Sequence, residues 1–306
     1  LIGLGQQTYV PDDNFEAYLE ANGMGNNIPN DSNVFTSAID TVPSLDINSE
    51  NISDLTGIQD FTALTYLDCQ NNQLTSINLS NNTVLTYLEC RYNQLTSLDI
   101  STNTDLTDLR CSYNSLMSLD VSNNTLLTNL NCDSNQLTSL DVSQNIALQT
   151  LYCQRNYLTS INLSNNTDLK TLRLEHNQLT NLDLSLNIIL RTFQANFNTL
   201  TILDLRNGNN TNIDHIKVKN NDSLTCINVD DVAWANTNWT VANNDIDPEQ
   251  YFSTNCLIPS AIEEHTSNKE LLKITDILGR EINEKRNTPL FYIYNDGTVE
   301  KKIIIE

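Results

Sequence analysis

Residues 64–84 read LTYLDCQNNQLTSINLSNNTV, and residues 85–105 repeat the phrase as LTYLECRYNQLTSLDISTNTD. The shared template is L-x-x-L-x-C-x-x-N-x-L-T-x-L-D-x-S-x-N-T-x. Looser units precede and follow the regular ones, at residues 42–61 and 213–227, which gives about nine coils. No single unit can bury its apolar edge alone, so the pattern predicts a stacked solenoid. The regular units open on Leu64, Leu85, Leu106, Leu127, Leu148, Leu169 and Leu190.

Apolar and polar residues alternate over a short stretch of each unit. Leu67 and Cys69 alternate with Tyr66, Asp68 and Gln70, and a period of two predicts a strand with one buried face. At a strand spacing of ~4.8 Å, nine coils would form a parallel ribbon roughly 40 Å long. The convex segments carry too few residues at helical spacing for full α-helices, so we expect turns and short 3₁₀ pieces there.

Asparagine recurs at two positions of the unit, and each column marks a turn. A buried amide at such a position can donate to and accept from the backbone of neighbouring coils. The first column comprises Asn72, Asn93, Asn114, Asn135, Asn156, Asn177 and Asn198. The second column comprises Asn82, Asn103, Asn124, Asn145, Asn166 and Asn187.

The repeated phrase resembles the leucine-rich repeat family in its short bacterial form. The resemblance covers roughly residues 42–232 and implies a right-handed α/β-type solenoid dominated by parallel β-structure. It also implies adhesion or interaction as the function, without naming a ligand. The sixth position of the unit matches that family's small apolar site, which holds a cysteine in five units here. These residues are Cys69, Cys90, Cys111, Cys132 and Cys153.

The cysteine column is predicted to serve packing. Leu174 and Ala195 take the same position in later units, and both are apolar. A metal or redox array is the alternative, but metal sites use CxxC-type spacing and the chain has none. We therefore expect neither a metal nor another cofactor.

Charge limits the range of partners. The chain has 306 residues and a net charge of -22, and residues 1–256 hold nine Lys and Arg against 29 Asp and Glu. Such a body repels phosphate backbones and anionic membrane surfaces, so neither nucleic acid nor a membrane is an expected partner. No apolar run approaches the ~20 residues that span a bilayer. The chain starts at Leu1 without signal-peptide features, so we expect a mature or trimmed chain.

The regions that flank the repeats are predicted to be caps. In residues 1–41, the stretch Pro11 to Glu20 has amphipathic spacing and predicts a short helix. Residues 233–256 form the predicted C-terminal cap. The last two cysteines, Cys226 and Cys256, bracket both tryptophans, and a disulfide between them would suit an oxidising compartment. VPDDNFEAYL, and NISDLTGIQDFTALTYLDC at residues 51–69, resemble secreted leucine-rich repeat proteins of the Bacteroidetes.

Residues 257–306 have a different composition and predict a small antiparallel β module. The sequence Asn-Asp-Gly at 295–297 is a hairpin signal. The DILGRE stretch at 276–281, the PLFYIY run at 289–294 and the Lys-rich end at 301–306 resemble a short form of the C-terminal sorting domain of the type IX secretion system. The leading Pro-Asn-Pro strand of that domain is missing. The resemblance implies recognition by the secretion machinery and export across the outer membrane, with the protein released or held on the cell surface. A small module that merely packs on the solenoid is the alternative.

The sequence offers no convergent catalytic constellation, and we expect no enzyme activity. His176, His215 and His265 are the only histidines, and no nucleophile, metalloprotease or nucleotide motif accompanies them. A convex column of carboxylates could hold calcium, but such a column is usually a solvated or turn-capping edge. Its members are Asp99, Asp120, Asp141, Asp183 and Asp204.

The concave face is the predicted site, because its composition varies while the scaffold repeats. Tyrosine and arginine, the residue types most enriched in binding hot spots, cluster there. The candidate ligand-binding residues are Tyr87, Arg91, Tyr92, Arg110, Tyr113, Tyr152, Arg155 and Arg173. Cross-strand pairing, such as Glu89 with Arg110, is an equally open interpretation.

These features predict a secreted or surface-held, non-catalytic recognition protein that binds a protein or a glycan. A structural or ice-facing surface is the alternative, because threonine forms regular columns that could order water. One of these columns comprises Thr65, Thr86, Thr107 and Thr128.

Overall fold

The alternating stretches form short parallel strands, one or two in each coil. The structure, a computed structural model, describes residues 5–256, 271–276, 279–282, 289–294 and 299–303. The chain divides into two compact units, residues 1–256 and 257–306. The first unit contains the repeats and both caps, and the second contains the small β module.

The N-terminal cap precedes the first coil and consists of two strands and two helices. They are β1 (Gln7–Tyr9), α1 (Asp13–Ala21), β2 (Asn33–Phe35) and α2 (Thr36–Ile39). The predicted helix is displaced: it runs over Asp13–Ala21 instead of Pro11 to Glu20. Asp12 is the reason, because its side chain accepts from the backbone N–H groups of Asn14 and Phe15, both at 3.0 Å. This is an N-cap, which places Pro11 outside the helix.

The remaining elements of the first unit follow in chain order. They are β3 (Ser44–Asp46), β4 (Tyr66–Asp68), β5 (Tyr87–Glu89), β6 (Asp108–Arg110), β7 (Asn129–Asn131), β8 (Thr150–Tyr152), β9 (Thr171–Arg173), β10 (Asn181–Asp183), β11 (Thr192–Gln194), β12 (Ile202–Asp204), β13 (His215–Lys217), β14 (Cys226–Asn228), α3 (Val232–Asn238) and β15 (Tyr251–Ser253). Two 3₁₀ turns, Ile58–Asp60 and Asn210–Asn212, interrupt the convex side.

Two parallel sheets result. The nine-stranded sheet has the order β13-β11-β9-β8-β7-β6-β5-β4-β3, which confirms the predicted parallel ribbon. A second sheet, with the order β10-β12-β14-β15, forms only in the C-terminal coils. Earlier coils form a turn at the corresponding place, and aspartate side chains cap these turns. Asp99 Oδ1 accepts from Ser101 N at 3.0 Å, and Asp120 Oδ1 accepts from Ser122 N at 2.9 Å. The carboxylate column that could have suggested calcium is thus a turn-capping column.

Both asparagine columns bond adjacent coils together, as predicted. Asn72 Oδ1 accepts from Ile52 N at 2.9 Å, and its Nδ2 donates to the carbonyls of Ile47 and Cys69 at 2.8 and 3.0 Å. Asn82 Nδ2 donates to the carbonyls of Ile58 and Phe61, both at 2.9 Å. The same pattern recurs along both columns, so each coil contributes several buried hydrogen bonds, each worth about 1 kcal/mol net.

The cysteine column packs in the core. All five cysteines of the column are free and fully buried. Leu174 and Ala195 fill the same column and are also fully buried. Burial raises the pKa of each thiol, to about 12 for Cys132. These cysteines are therefore protonated and unreactive near neutral pH, which agrees with a packing role.

The caps are attached to the solenoid by specific contacts. Asp12 Oδ2 accepts from the Ser53 backbone and hydroxyl at 2.8 and 2.7 Å, which joins α1 to the first coil. At the other end, Cys226 and Cys256 form the predicted disulfide. Trp239 is buried against Phe252 and meets Trp234 edge-to-face, with ring centroids 5.3 Å apart.

The second unit is a three-stranded antiparallel sheet, as predicted. Its strands are β16 (Leu271–Thr275), β17 (Pro289–Tyr294) and β18 (Val299–Ile303), in the order β16-β17-β18. The predicted hairpin turn at 295–297 lies outside the described residues. Ile293 and Val299, on either side of it, are paired antiparallel.

Candidate ligand-binding face

The outward face of the nine-stranded sheet presents four side chains per coil. Two come from the first and third residues of each strand, and two come from the residues that follow it, such as Arg91 and Tyr92 after β5. Strand pairing keeps equivalent positions in register, for example Tyr87 beside Asp108 and Glu89 beside Arg110. All eight candidate residues occupy these positions, so the structure brings them onto one face.

The N-terminal half of this face holds a set of side chains that bond to one another. We call it the paired patch; it comprises Tyr66, Tyr87, Glu89, Arg91, Asp108 and Arg110. Glu89, only 1% exposed, accepts from Arg91 Nε at 2.5 Å and lies 3.7 Å from Arg110 Nη1. Arg110 Nε also donates to Asp108 at 2.9 Å. The cross-strand pairing considered from the sequence is therefore present.

Aromatic rings complete the paired patch. The rings of Tyr66 and Tyr87 stack with centroids 4.5 Å apart, and the Arg110 guanidinium lies 5.3 Å above the Tyr87 ring. Burial raises the pKa of Glu89, because the charges of Arg91 and Arg110 offset its desolvation only in part. Burial likewise raises the pKa of Tyr87. Most polar groups of this patch thus already have a partner within the protein.

From the end of β6 onward, the face holds side chains with buried polar atoms that lack a partner. We call this set the unpaired patch; it comprises Ser112, Asp133, Ser134, Gln154, Arg173 and Glu175. Among the described residues, no hydrogen-bond partner reaches Ser112 Oγ, Asp133 Oδ1, Ser134 Oγ, Gln154 Oε1, Arg173 Nε or Glu175 Oε2. Gln154 Nε2 donates to Asp133 Oδ2 at 3.0 Å. The Arg173 guanidinium lies 5.2 Å above the Tyr152 ring.

A row of left-handed residues runs along one edge of the face. The eight members have φ between 52° and 57°, and none is glycine. Non-glycine residues adopt this conformation rarely, especially aromatic ones. We call it the left-handed row; it comprises Asn71, Tyr92, Tyr113, Ser134, Arg155, His176, Phe197 and Asn220.

Hydrogen bonding explains why the left-handed row exists. The backbone N–H of Tyr113 donates to the Asp133 carbonyl at 3.0 Å, and that of Arg155 to the Glu175 carbonyl at 2.8 Å. Seven of the eight members thus keep a bond to a carbonyl of the next coil while the following asparagine turns inward, and the N–H of Asn220 donates to the Asp247 carboxylate instead. The side chains project outward: Tyr92 and Tyr113 stack at 4.4 Å between centroids, and His176 and Phe197 at 4.3 Å.

A shallow depression of about 340 Å³ lies beside the paired patch. Arg91, Asp108 and Arg110 line one side, and Thr150 and Tyr152 the other, over a floor of Asn129 and Asn131. Three of the eight candidate residues, Arg91, Arg110 and Tyr152, line this depression. The other five candidates are Tyr87 in the paired patch, Tyr92, Tyr113 and Arg155 in the left-handed row, and Arg173 in the unpaired patch.

Sequence reasoning did not select several residues that the structure brings to this face. Asp133, Gln154, Glu175, His176 and Phe197 occupy template positions equivalent to Arg91 and Tyr92, so the repeat itself was the available signal. Selecting only tyrosine and arginine passed over them. Within the described part of the chain, no group of three His, Cys, Asp or Glu residues is arranged to hold a metal ion.

The threonine column does not present free hydroxyls. Each threonine hydroxyl donates to the backbone carbonyl of the threonine in the preceding coil. The Oγ1 to O distances are 2.9 Å from Thr86 to Thr65, 3.1 Å from Thr107 to Thr86 and 3.0 Å from Thr128 to Thr107. These hydroxyl protons are used within the solenoid. Because these hydroxyl groups donate to the protein backbone, the structure does not favour a water-ordering surface built on this column.

Comparison with solved structures supports the fold. The chain is similar over the full length of both chains to the functional domain of InlJ from Listeria monocytogenes, which includes a cysteine ladder, at 22% identity and a TM-score of 0.52. Over 71% of its length, the chain is similar to 55% of a leucine-rich repeat protein from Leptospira interrogans. The identity is 21% and the TM-score is 0.53. The chain is also similar, over 71% of its length, to 47% of YopM from Yersinia enterocolitica. The identity is 22% and the TM-score is 0.51.

These matches define the fold class: the chain is a leucine-rich repeat solenoid. No protein-family model and no curated protein matches the sequence. Among the helices that the structure describes, none has the length and apolar character to span a lipid bilayer.

Proposed function

We propose that this chain is a non-catalytic recognition protein that binds a protein or a glycan through the outward face of the nine-stranded sheet. One observation carries the proposal. The inward positions repeat from coil to coil, whereas the outward positions change and place exposed Tyr92, Tyr113, Arg155 and Phe197 on a rigid backbone. Rigid aromatic and arginine side chains on a fixed scaffold are typical of binding hot spots.

The location that we propose is the outside of the cell. The Cys226–Cys256 disulfide suits an oxidising compartment. The resemblance of residues 257–306 to a type IX sorting domain supports export across the outer membrane of a member of the Bacteroidetes, with adhesion at the cell surface or release. Deleting residues 257–306 in the native host should abolish secretion, and unchanged secretion would refute this role.

The binding face can be tested once a screen of extracellular proteins and oligosaccharides yields a ligand. Tyr92→Ala and Arg155→Ala should each weaken binding about thirtyfold if they are hot spots. Asp120→Ala, on a convex turn, is the control and should leave affinity unchanged. Weaker binding in the control alone would place the site elsewhere.

A further inference from the structure

Buried polar atoms without partners fall into two groups in the described residues, apart from one oxygen of Glu16. The first group contains the Oδ1 atoms of the second asparagine column, from Asn82 to Asn187. This group repeats identically from coil to coil, and each amide still donates two hydrogen bonds. It is therefore part of the scaffold. The second group is the unpaired patch, which does not repeat.

The unpaired patch is contiguous. The backbone N–H of Tyr113 donates to the Asp133 carbonyl. In the next two coils, the N–H of Ser134 donates to the Gln154 carbonyl at 2.9 Å, and the N–H of Arg155 donates to the Glu175 carbonyl. Asp133, Gln154 and Glu175 therefore follow one another in adjacent coils, about 4.8 Å apart. Asp133 is 8% exposed and Ser112 only 1%. A buried polar group without a partner is costly, and the clustering of several such groups of different chemistry in adjacent coils points to a ligand that supplies the partners.

The chemistry of the patch selects the ligand. Asp133, Gln154 and Glu175 offer acceptors, Arg173 Nε offers a donor, and the serine hydroxyls can do either. Burial raises the pKa of both Asp133 and Glu175, and the positive charges of Arg155 and Arg173 offset this desolvation only in part. A cationic ligand would meet these arginines and an anionic one the carboxylates. A neutral ligand rich in hydroxyl groups matches the set, because each hydroxyl donates and accepts.

Aromatic rings stand on both sides of the patch. The stacked pair of Tyr92 and Tyr113 lies at one end, and the pair of His176 and Phe197 at the other. Tyr113 and His176 are three coils apart in the left-handed row, a span of about 14 Å at the parallel-strand spacing. Rigid rings offer large apolar faces, on which the faces of sugar rings can stack.

We propose that the unpaired patch and its two flanking aromatic pairs bind a neutral oligosaccharide. Hydroxyl groups of the sugar would take up the free positions on Asp133, Gln154, Glu175 and Arg173, and its end units would stack on the aromatic pairs. Because the free atoms are covered in the structure, a neighbouring side chain has to turn outward on binding. Arg155, which directly follows Gln154, is exposed and has no ion pair to any described residue, so its side chain is free to move. This inference rests on the proposed function and specifies its ligand class.

The test uses the full chain and a panel of neutral glucose, mannose, galactose and N-acetylglucosamine oligosaccharides of about three to six units. Sialylated and sulfated oligosaccharides and a lysine-rich peptide are included as rivals. The best neutral binder is then titrated by calorimetry against variants whose thermal unfolding is measured in parallel. Glu175→Gln and Phe197→Ala should each weaken its affinity at least tenfold. Tyr66→Ala, in the paired patch, should change the affinity less than twofold.

The outcomes separate this inference from the broader function. If no neutral oligosaccharide binds more tightly than about 1 mM while the peptide or a protein binds this face, the sugar inference is wrong and the recognition function stands. Preference for a sulfated or sialylated sugar overturns the neutral-ligand assignment. If a neutral sugar binds and only Tyr66→Ala weakens it, the site is misplaced. If neither class of ligand binds, both proposals fail.

Discussion

The two patches of the outward face share one backbone and one repeat, yet their side chains behave differently. In the paired patch, Arg110 lies above Tyr87 and also donates to Asp108. In the unpaired patch, Arg173 lies above Tyr152 in the same way, but its Nε has no partner among the described residues. The fold therefore does not require these positions to be satisfied. Outward side chains can stabilise the solenoid or remain available to a ligand.

The largest expected effect concerns the core that both patches share. Leu130 is fully buried in β7, beneath the outward face. Leu130→Ala should lower the free energy of unfolding by about 2–5 kcal/mol, because it leaves a cavity. The neighbouring Asn131→Ala, which points outward and loses only the bond from Asp133 N to Asn131 Oδ1, should lower it by at most about 1 kcal/mol. Urea unfolding followed by circular dichroism measures both. Equal losses would show that outward positions carry as much of the fold as inward ones.

Truncating one carboxylate in each patch tests the comparison directly. Glu89→Ala removes the carboxylate that accepts a hydrogen bond from Arg91 and forms an ion pair with Arg110, and should cost about 1–3 kcal/mol of unfolding free energy. That range is below the cost of breaking a fully buried ion pair, because both arginines are partly exposed and can rehydrate. Glu175→Ala removes a carboxylate whose Oε2 has no partner among the described residues and should cost less than ~0.5 kcal/mol. If Glu175→Ala lost more unfolding free energy than Glu89→Ala, the assignment of the two patches as paired and unpaired would be wrong.

The pH dependence of stability should distinguish buried from turn-capping carboxylates. Burial raises the pKa of Glu175 above its usual value, so its stabilising contribution is present below the unfolded-state pKa and is lost as pH rises through the folded-state pKa. Glu175→Gln should therefore be at least as stable as the wild type at pH 7, and this advantage should shrink in acid.

Asp99 is the matched control for that measurement. Hydrogen bonds from the Ser101 side chain and backbone lower its pKa. Its contribution is therefore present above the unfolded-state pKa and is lost as pH falls through the folded-state pKa. Asp99→Asn should lose stability relative to the wild type at pH 7, and that difference should vanish in acid. The same pH trend for both variants would contradict the assignment.

The smallest expected effect concerns the left-handed row. Ser134→Gly removes a side chain from a left-handed position together with a buried hydroxyl that has no partner, and should raise the unfolding free energy by up to about 1 kcal/mol. Asn71→Gly, beside the paired patch, should bring no gain, because asparagine tolerates this conformation well. Thermal unfolding of the two variants gives the answer, and a gain at residue 71 alone would exclude this explanation.

The periodicity predicted the parts of the fold that depend on local pattern. Leu67 and Cys69 indicated the strand, Asn72 and Asn82 the two columns of interstrand amides, and the position of the last two cysteines the disulfide. The left-handed row was not predictable in this way, because tyrosine, arginine and phenylalanine carry no signal for positive φ. The conformation follows from keeping the bond to the next coil while the adjacent asparagine turns inward.

Other features depend on interactions that a repeat template does not encode. The convex segments of the Leu140 and Leu182 coils fit the same template, yet only the latter pairs as a strand, β10. Whether an arginine bonds a carboxylate depends on the rotamers of several coils at once, so the division into paired and unpaired patches became visible only in the structure. The helix start was missed because Asp12 was not considered as an N-cap.

The strict register of the two asparagine columns has a consequence for how such a gene can change. Every regular coil offers its neighbours the same carbonyl and amide groups, so recombination between two similar units could delete one coil in frame and leave both columns intact. Loss of residues 127–147, for example, would bring Arg110 beside Tyr152 and remove Asp133 from the face. A single genetic event could thus rearrange the binding surface while the inherited scaffold remains the same.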